Sequence, residues 1–83
     1  MEKHVKFNAD IVNRINFGQN LKTLRKLNGV SQTELAELLG VHFLTVSRWE
    51  TSVNFPDIRI IALLTDLFNV SCDYLIGLHH QGE

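Results

Sequence analysis

The sequence predicts a small all-α domain of five helices, and three observations lead to this fold class. The chain has 83 residues, enough for one small domain with one core. Its apolar positions recur at spacings of three and four rather than two, which is the period of helices and not of strands. Residues that interrupt helices divide the chain at Gly29, Gly40, Pro56 and Gly77.

The first predicted helix begins at Phe17 and ends at Asn28 and Gly29, a pair suited to a left-handed C-terminal cap. We expect one stripe of this helix to face the core. That stripe consists of Phe17, Leu21, Leu24 and Leu27.

The second predicted helix opens with a capping box. The Ser31 hydroxyl can accept from the Glu34 amide while the Glu34 carboxylate reaches back to the Ser31 amide. The helix carries Leu35, Ala36, Leu38 and Leu39 and ends at Gly40. Because the next helical pattern begins only about three residues later, near Phe43, the two helices are expected to cross at a steep angle.

The third predicted helix runs from Phe43 to roughly Glu50 and has two distinct sides when each residue is turned by about 100°. One side is expected to face the core, and it carries Thr45, Val46 and Trp49. The other side carries Phe43, Leu44, Ser47 and Arg48.

The fourth predicted helix starts at Pro56 and Asp57 and closes at Asn69 and Val70. Its expected core stripe consists of Ile58, Ile61, Ala62, Leu64 and Phe68. A second apolar stripe, roughly opposite, consists of Ile60, Leu63 and Leu67. A helix that is apolar all round needs burial on both sides. The cover is either the N-terminal segment of residues 1–16, which contains Val5, Phe7, Ile11, Val12 and Ile15, or a second subunit.

A short fifth helix is predicted over Cys72 to Ile76, capped by Ser71 and ended by Gly77. Cys72 is expected to be a small apolar residue that faces the helix packing. The tail of residues 78–83 is expected to be frayed.

Composition and charge limit the possible functions. The chain is 45% hydrophobic and 20% charged, which excludes the class that stays disordered, and its net charge of −1 provides no general affinity for a polyanion. The single cysteine cannot form an intramolecular disulfide, and no segment is apolar enough for a signal peptide or a membrane span. We therefore expect a cytoplasmic protein without a membrane partner.

Catalysis and cofactor binding find no support in the sequence. It has no glycine-rich phosphate loop and no nucleophile with a neighbouring base, so we predict that the chain is not an enzyme. The four histidines, His4, His42, His79 and His80, lack metal-ligand spacing, so no metal site is predicted. Neither a cofactor nor a small-molecule ligand is expected.

Residues 32–51 read QTELAELLGVHFLTVSRWET and resemble the helix-turn-helix of the phage-repressor and Cro-like (XRE) family. Ala36 lies where that family needs a small side chain between its two helices, and Gly40 lies where the turn needs a positive φ. The family pattern also buries the positions of Leu35, Leu39, Val41, Val46 and Trp49. The resemblance extends over residues 17–77. It implies a compact five-helix, lambda-repressor-like DNA-binding domain, preceded by the extension of residues 1–16, which either packs on the core or is mobile.

The resemblance implies that the third helix enters the DNA major groove with Phe43, Leu44, Ser47 and Arg48 towards the bases. These four are the residues that the helical rotation independently left outside the core. Arg48 is expected to pair with guanine O6 and N7, and the apolar Phe43 and Leu44 to contact thymine methyl groups in A·T-rich half-sites.

Contacts to the DNA backbone are assigned to a second set of residues. They are Ser31, Gln32, His42, Thr51, Asn54 and Arg25. For Arg25 the family favours an ion pair with Glu50, with a phosphate contact as a secondary role. His42 stands where the family has Ser or Thr, and two roles stay open for it: a weak helix cap, or a phosphate contact when protonated.

The motif itself is poor in positive charge. Residues 17–56 carry the cations Lys22, Arg25, Lys26 and Arg48 against the anions Glu34, Glu37 and Glu50, a net charge of +1. Binding to DNA would therefore release few counterions and depend only weakly on salt.

The function implied is that of a transcriptional regulator, a repressor, that binds a pseudo-palindromic operator in double-stranded DNA as a homodimer. The candidate dimer contacts are Phe55, Tyr74, Leu75 and Leu78. The alternative is a protein-interaction module, antirepressor or antitoxin-like, that uses Phe43 and Leu44 as an apolar docking patch.

Overall fold

The computed structural model describes residues 15–78. Five α-helices follow one another in this part of the chain: α1 Phe17–Leu27, α2 Gln32–Leu39, α3 Phe43–Glu50, α4 Ile58–Phe68 and α5 Cys72–Ile76. Residues 15–78 contain no strand, so the predicted all-α fold is confirmed. The N-terminal extension up to residue 14, the tail beyond Leu78 and three of the four histidines lie outside the described residues. None of the five helices is long and apolar enough to cross a membrane.

One apolar core joins all five helices. Its buried members are Phe17, Leu21, Leu24, Leu35, Ala36, Val46, Trp49, Leu64 and Leu75. Helix α1 packs against both α3 and α5, while α2 packs against α3 and α4 against α5. The helix that carries the outward-facing residues, α3, is thus supported from two directions.

Helix α1 buries a different set of residues from the one predicted. Leu27 is 75% exposed, whereas Gly18 and Arg25 are buried. At about 100° per residue, Leu27 lies to one side of the stripe formed by Phe17, Leu21 and Leu24, and Gly18 and Arg25 lie to the other. Helix α3 packs on the side of Gly18 and Arg25, which leaves Leu27 in solvent.

Helix α4 begins at Ile58, two residues later than predicted. Asp57 is its N-cap, and the carboxylate accepts from the amides of Arg59 at 3.0 Å and Ile60 at 3.1 Å. Pro56 therefore precedes the cap instead of lying in the first turn. An acidic side chain can satisfy two free amides at once, so the cap at Asp57 sets the start of the helix.

The buried side of α4 differs in part from the predicted core stripe. Leu64 is fully buried, and Ile60 packs on the core beside it because the two are one turn apart. Ile58 is 74% exposed, since it lies about 120° from Leu64 around the helix. Leu63 and Leu67 are exposed, and the described residues do not cover them.

Helix α5 has the predicted bounds, with the Ser71 hydroxyl accepting from the Tyr74 amide at 3.0 Å and Gly77 in the left-handed conformation. One prediction near it is wrong: Cys72 is exposed, since the first residue of this short helix faces solvent. Leu78, the first residue of the predicted tail, is half-buried, and its amide donates to the Asp73 carbonyl at 2.8 Å. The rest of that tail lies outside the described residues, so its fraying stays a prediction.

The beginning of α1 is attached to the end of α5. The Asn16 amide donates to the Ile76 carbonyl at 2.9 Å, and the Asn20 side chain donates to the carbonyls of Tyr74 and Leu75. These bonds satisfy the carbonyls of Leu75 and Ile76, which have no partner within α5, and give the Tyr74 carbonyl a second donor beside the Gly77 amide.

Candidate nucleic-acid interface

Helix α3 presents all four predicted base-facing residues on one outward side. Its inner side is anchored in the core by Val46 and Trp49, both buried. On the outer side Phe43 is 45% and Leu44 44% exposed. The same side carries Ser47, which is half-buried, and Arg48, which is exposed. The helical rotation therefore predicted the two sides of α3 correctly.

The turn between α2 and α3 consists of three residues, Gly40, Val41 and His42. Gly40 adopts φ +71, a left-handed conformation that favours glycine. Ala36 is buried at the end of α2 that leads into this turn, and its carbonyl accepts from the Val41 amide at 2.9 Å. A small residue and a glycine thus bring α2 against α3, as the family pattern implies.

His42 is the N-cap of α3. Its Nδ1 accepts a hydrogen bond from the Leu44 amide at 3.2 Å, and its ring lies 4.8 Å from the ring of Phe43 with an interplanar angle of 32°. Of the two roles left open by the sequence, the cap is the one observed. A phosphate contact by His42 stays a prediction.

Arg25 lies inside the protein and not on its surface. Its Nε and Nη2 donate to the two carboxylate oxygens of Glu50 at 2.6 and 3.0 Å, and Nη1 donates to the Val30 carbonyl at 3.0 Å. The hydrogen bonding of its guanidinium to the Glu50 carboxylate is the main cause that raises the pKa of Arg25 above its ordinary value. The predicted ion pair is confirmed, and the secondary phosphate role is corrected because the guanidinium is buried and occupied.

Gln32 joins this ion pair. Its Nε2 donates to Glu50 Oε1 at 3.0 Å, so that a single carboxylate holds residues of α1 and α2 from the end of α3. The side chain is half-buried and has a second amide hydrogen. Its contact with a DNA phosphate stays a prediction.

Both the hydroxyl and the amide of Ser31 form hydrogen bonds within the protein. Its hydroxyl oxygen accepts from the Glu34 amide and its own amide donates to the Glu34 carboxylate, both at 3.0 Å. The bond from the Ser31 amide is the main cause that lowers the pKa of Glu34. The capping box is confirmed, and the Ser31 amide is therefore not available to a phosphate. The first amides inside α2, those of Gln32 and Thr33, have no acceptor within the helix and take its place as candidates.

The residues after α3 are exposed. The Thr51 hydroxyl donates to the carbonyls of Ser47 and Arg48, which closes the helix, and Asn54 lies in the segment that follows. Ser52 adopts φ +62, in the left-handed region that favours glycine. The backbone roles of Thr51 and Asn54 stay predictions.

Sequence reasoning missed Gly18. A Cβ atom at this position would lie 2.6 Å from the Trp49 carbonyl oxygen and 2.7 Å from that of Glu50. The absence of a side chain lets α1 contact the backbone at the end of α3 and so sets the position of that helix. The only signal in the sequence is a glycine inside a helical pattern.

The candidate dimer contacts divide into two groups. Phe55 is 60% exposed, with its ring 6.4 Å from that of Phe17, and Tyr74 is also exposed. Leu78 is half-buried. Leu75 is fully buried in the core, so its assignment as a dimer contact is corrected: its side of α5 faces the protein interior.

Comparison with known proteins identifies the family to which this fold belongs. The family model described as helix-turn-helix matches residues 21–75, about two thirds of the chain. The chain belongs to the XRE-type helix-turn-helix family. The resemblance in the sequence is thereby confirmed.

Several curated relatives match this helix-turn-helix chain. It is 36% identical over 63 residues to the HTH-type transcriptional regulators ImmR and AnsR of Bacillus subtilis, which covers 76% of the chain and 50% and 54% of those proteins. It is 32% identical over 60 residues to the antitoxin PezA of Streptococcus pneumoniae, covering 72% of the chain and 38% of PezA. The chain thus spans about half the length of the regulators it matches.

Two solved structures share the helix-turn-helix fold. A transcriptional regulator from Listeria innocua superimposes with a TM-score of 0.76 at 31% identity, covering 84% of this chain and 65% of that one. The P22 c2 repressor, solved in complex with a synthetic operator, superimposes with a TM-score of 0.70 at 27% identity, covering 76% of this chain and 96% of the repressor.

Proposed function

We propose that this helix-turn-helix chain binds double-stranded DNA sequence-specifically and acts as a transcriptional repressor. The observation that carries the proposal is the outward side of α3, which presents Phe43, Leu44, Ser47 and Arg48 while its inner side is locked in the core. The P22 c2 repressor, which has the same fold, is bound to an operator in its crystal structure. On this reading the protein works in the cytoplasm, without catalysis and without a cofactor.

Arg48 is the residue best suited to read a base. Within residues 15–78 no carboxylate forms an ion pair with it, so its guanidinium is available for the O6 and N7 atoms of guanine. Ser47, one residue earlier, can bond to a base or a phosphate. Arg25 and Glu50 neutralise each other inside the protein and hold the end of α3 in place.

We further propose that the chain acts as a homodimer on a pseudo-palindromic operator. Two copies of α3 related by a two-fold axis would enter successive major grooves about 34–36 Å apart. The exposed side chains of Phe55 and Tyr74 support an apolar contact between subunits, to which the half-buried Leu78, four residues after Tyr74, would add.

The test is selection of bound sites from random-sequence DNA, followed by titration of the selected duplex. We expect an enriched inverted repeat. Arg48→Ala is expected to weaken binding to that duplex about 5- to 150-fold and to relax specificity at one base pair. Arg59→Ala is the control, because Arg59 is also an exposed arginine but lies on α4, outside the proposed interface. The proposal fails if no inverted repeat is enriched or if the two variants behave alike.

A second candidate function is a protein-interaction module of antitoxin type. The exposed apolar pair Phe43 and Leu44 favours it, as does the likeness to the antitoxin PezA. The regulator proposal would be replaced by this one if Arg48→Ala left all DNA binding unchanged while Phe43→Ala abolished binding to a protein partner.

A further inference from the structure

The first two residues of α3 are large, apolar and exposed. Phe43 and Leu44 are 45% and 44% exposed at the end of the helix where a major-groove reader contacts base edges. Their neighbours on the same side, Ser47 and Arg48, carry the polar groups of the interface. In the proposed complex with DNA, the apolar pair would contact a group in the groove that needs no hydrogen bond.

His42 holds this apolar pair in place through two contacts. Its Nδ1 accepts from the amide of Leu44, and its ring packs, tilted by 32°, against the ring of Phe43. A ring that is already held by a neighbour loses less conformational freedom on binding than a freely rotating one. His42 is thus a positioning residue for Phe43.

Base edges in the major groove offer one apolar group, the C5 methyl of thymine. Covering the polar N7, O6 or N4 atoms of a base pair with a phenyl or isobutyl group would remove their water without supplying a hydrogen bond, which is unfavourable. A C5 methyl group loses nothing by the same contact and gains from burial. The chemistry of the pair thus fits a methylated pyrimidine.

We propose that Phe43 and Leu44, positioned by His42, read the C5 methyl group of a pyrimidine and not the A·T pair as such. The inference rests on the proposed function. It has a consequence that a preference for A·T pairs does not share: 5-methylcytosine, which carries the same methyl group in a pair with guanine, can replace thymine at the contacted position, whereas cytosine cannot.

The experiment uses the duplex selected by the full chain from random DNA, with thymine replaced one position at a time by deoxyuridine, which lacks only the methyl group. At the contacted position we expect about fourfold weaker binding for each methyl removed. When the symmetry-related thymine of the other half-site is replaced as well, we expect a loss of about fifteenfold. 5-Methylcytosine at that position is expected to restore binding, and cytosine is not.

Variants assign the effect to residues. In Phe43→Ala or Leu44→Ala the ratio of affinities for the thymine and deoxyuridine duplexes is expected to fall towards one. His42→Ser keeps a side-chain cap for α3 but removes the ring, and is expected to lower the same ratio. Leu38→Ala, at an exposed leucine on α2, is the matched control and should leave the ratio unchanged.

The outcomes separate this inference from the proposed function. Specific binding that is insensitive to deoxyuridine at every position would overturn the methyl readout and leave the DNA-binding proposal intact. Equal losses of Phe43→Ala on both duplexes, or failure of 5-methylcytosine to restore binding, would also overturn it. If no specific duplex is selected, both proposals fail.

Discussion

Glu50 is the residue at which three helices meet. Its carboxylate accepts from Arg25 of α1 and Gln32 of α2 while it closes the last turn of α3. Its side chain is 3% exposed and that of Arg25 is 9% exposed. Loss of either partner would leave an uncompensated buried charge, which is far more costly than loss of a surface ion pair.

We expect Glu50→Ala to lower the free energy of unfolding by about 3–5 kcal/mol because it leaves the buried charge of Arg25 without a partner. Urea unfolding provides the measurement. Glu50→Gln retains a hydrogen-bond acceptor and should lose less of the free energy of unfolding. This variant can still be measured if the alanine variant fails to fold. Glu37→Ala, at an exposed glutamate of α2, is the control and should change stability by no more than about 0.5 kcal/mol. Similar losses at positions 37 and 50 would contradict the role of the ion pair.

Gly18 provides a second test at the residue scale. Helix propensity alone predicts that Gly18→Ala stabilises α1 by up to about 1 kcal/mol. The new Cβ atom, however, would meet the backbone carbonyls of Trp49 and Glu50, which cannot rotate away. We therefore expect a loss of about 1–3 kcal/mol or more in thermal or urea unfolding. The exposed neighbour Gln19→Ala is the control, and a gain in stability at Gly18 would refute the close approach.

At the scale of the elements, side-chain caps set where most helices begin. In four helices the side chain of the N-cap residue accepts a hydrogen bond from a backbone amide of the first turn. These N-cap residues are Ser31, His42, Asp57 and Ser71. Helix α1 is the exception, since Asn16 makes no such bond; its start is instead held by the hydrogen bond from the Asn16 amide to α5. The boundaries of α2 to α5 are thus local properties of the chain.

The cap of α4 makes stability depend on pH. The hydrogen bond from the Ile60 amide is the main cause that lowers the pKa of Asp57 below its ordinary value of 3.8, and Arg59 adds to it. A carboxylate whose pKa is lower in the folded than in the unfolded state stabilises the folded protein at pH values above its unfolded-state pKa. This stabilisation is lost as the pH falls through the two pKa values.

Asp57→Asn isolates this charge, because asparagine also caps helices. We expect the difference in unfolding free energy between the natural chain and this variant to be largest near neutral pH and to shrink as the pH falls from about 6 to about 3. Urea titrations across this range measure it. A difference that is constant with pH would show that the Asp57 charge is not coupled to folding.

At the scale of the whole molecule, the burial of Arg25 reduces an already small positive charge on the proposed DNA surface. Of the four cations in residues 17–56, only Lys22, Lys26 and Arg48 are exposed. We expect the logarithm of the DNA-binding constant to fall with the logarithm of salt concentration with a slope no steeper than about −3 per subunit. A slope typical of six or more phosphate contacts would show that cations outside this region dominate binding.

The dimer proposal also belongs to the whole molecule. Phe55→Asp is expected to shift the chain from dimer to monomer in sedimentation velocity and to weaken binding to the two-fold operator more than to a single half-site. Leu38→Asp introduces the same charge at an exposed leucine outside the proposed contact and should leave the dimer intact. Circular dichroism checks that both variants fold. A dimer unaffected by Phe55→Asp would remove this surface from the interface.

The sequence by itself determined the five helices of residues 15–78, the caps of α2 and α5, the turn between α2 and α3, and the outward side of α3. Each of these depends on hydrogen bonds within a few residues or on the geometry of one helix. The capping box at Ser31 and the turn at Gly40 could be predicted because their partners are neighbours in the chain. The family resemblance added the roles of the residues but no coordinates.

Only the tertiary structure decided which of several apolar or charged residues are buried. Leu27 and Ile58 are exposed while Ile60, Arg25 and Leu75 are covered, because burial depends on the direction from which other helices approach. The close approach at Gly18 and the meeting of three helices at Glu50 likewise join positions that are far apart in the chain. Helical periodicity gives a residue its angle around one axis, and only packing determines which angles face the core.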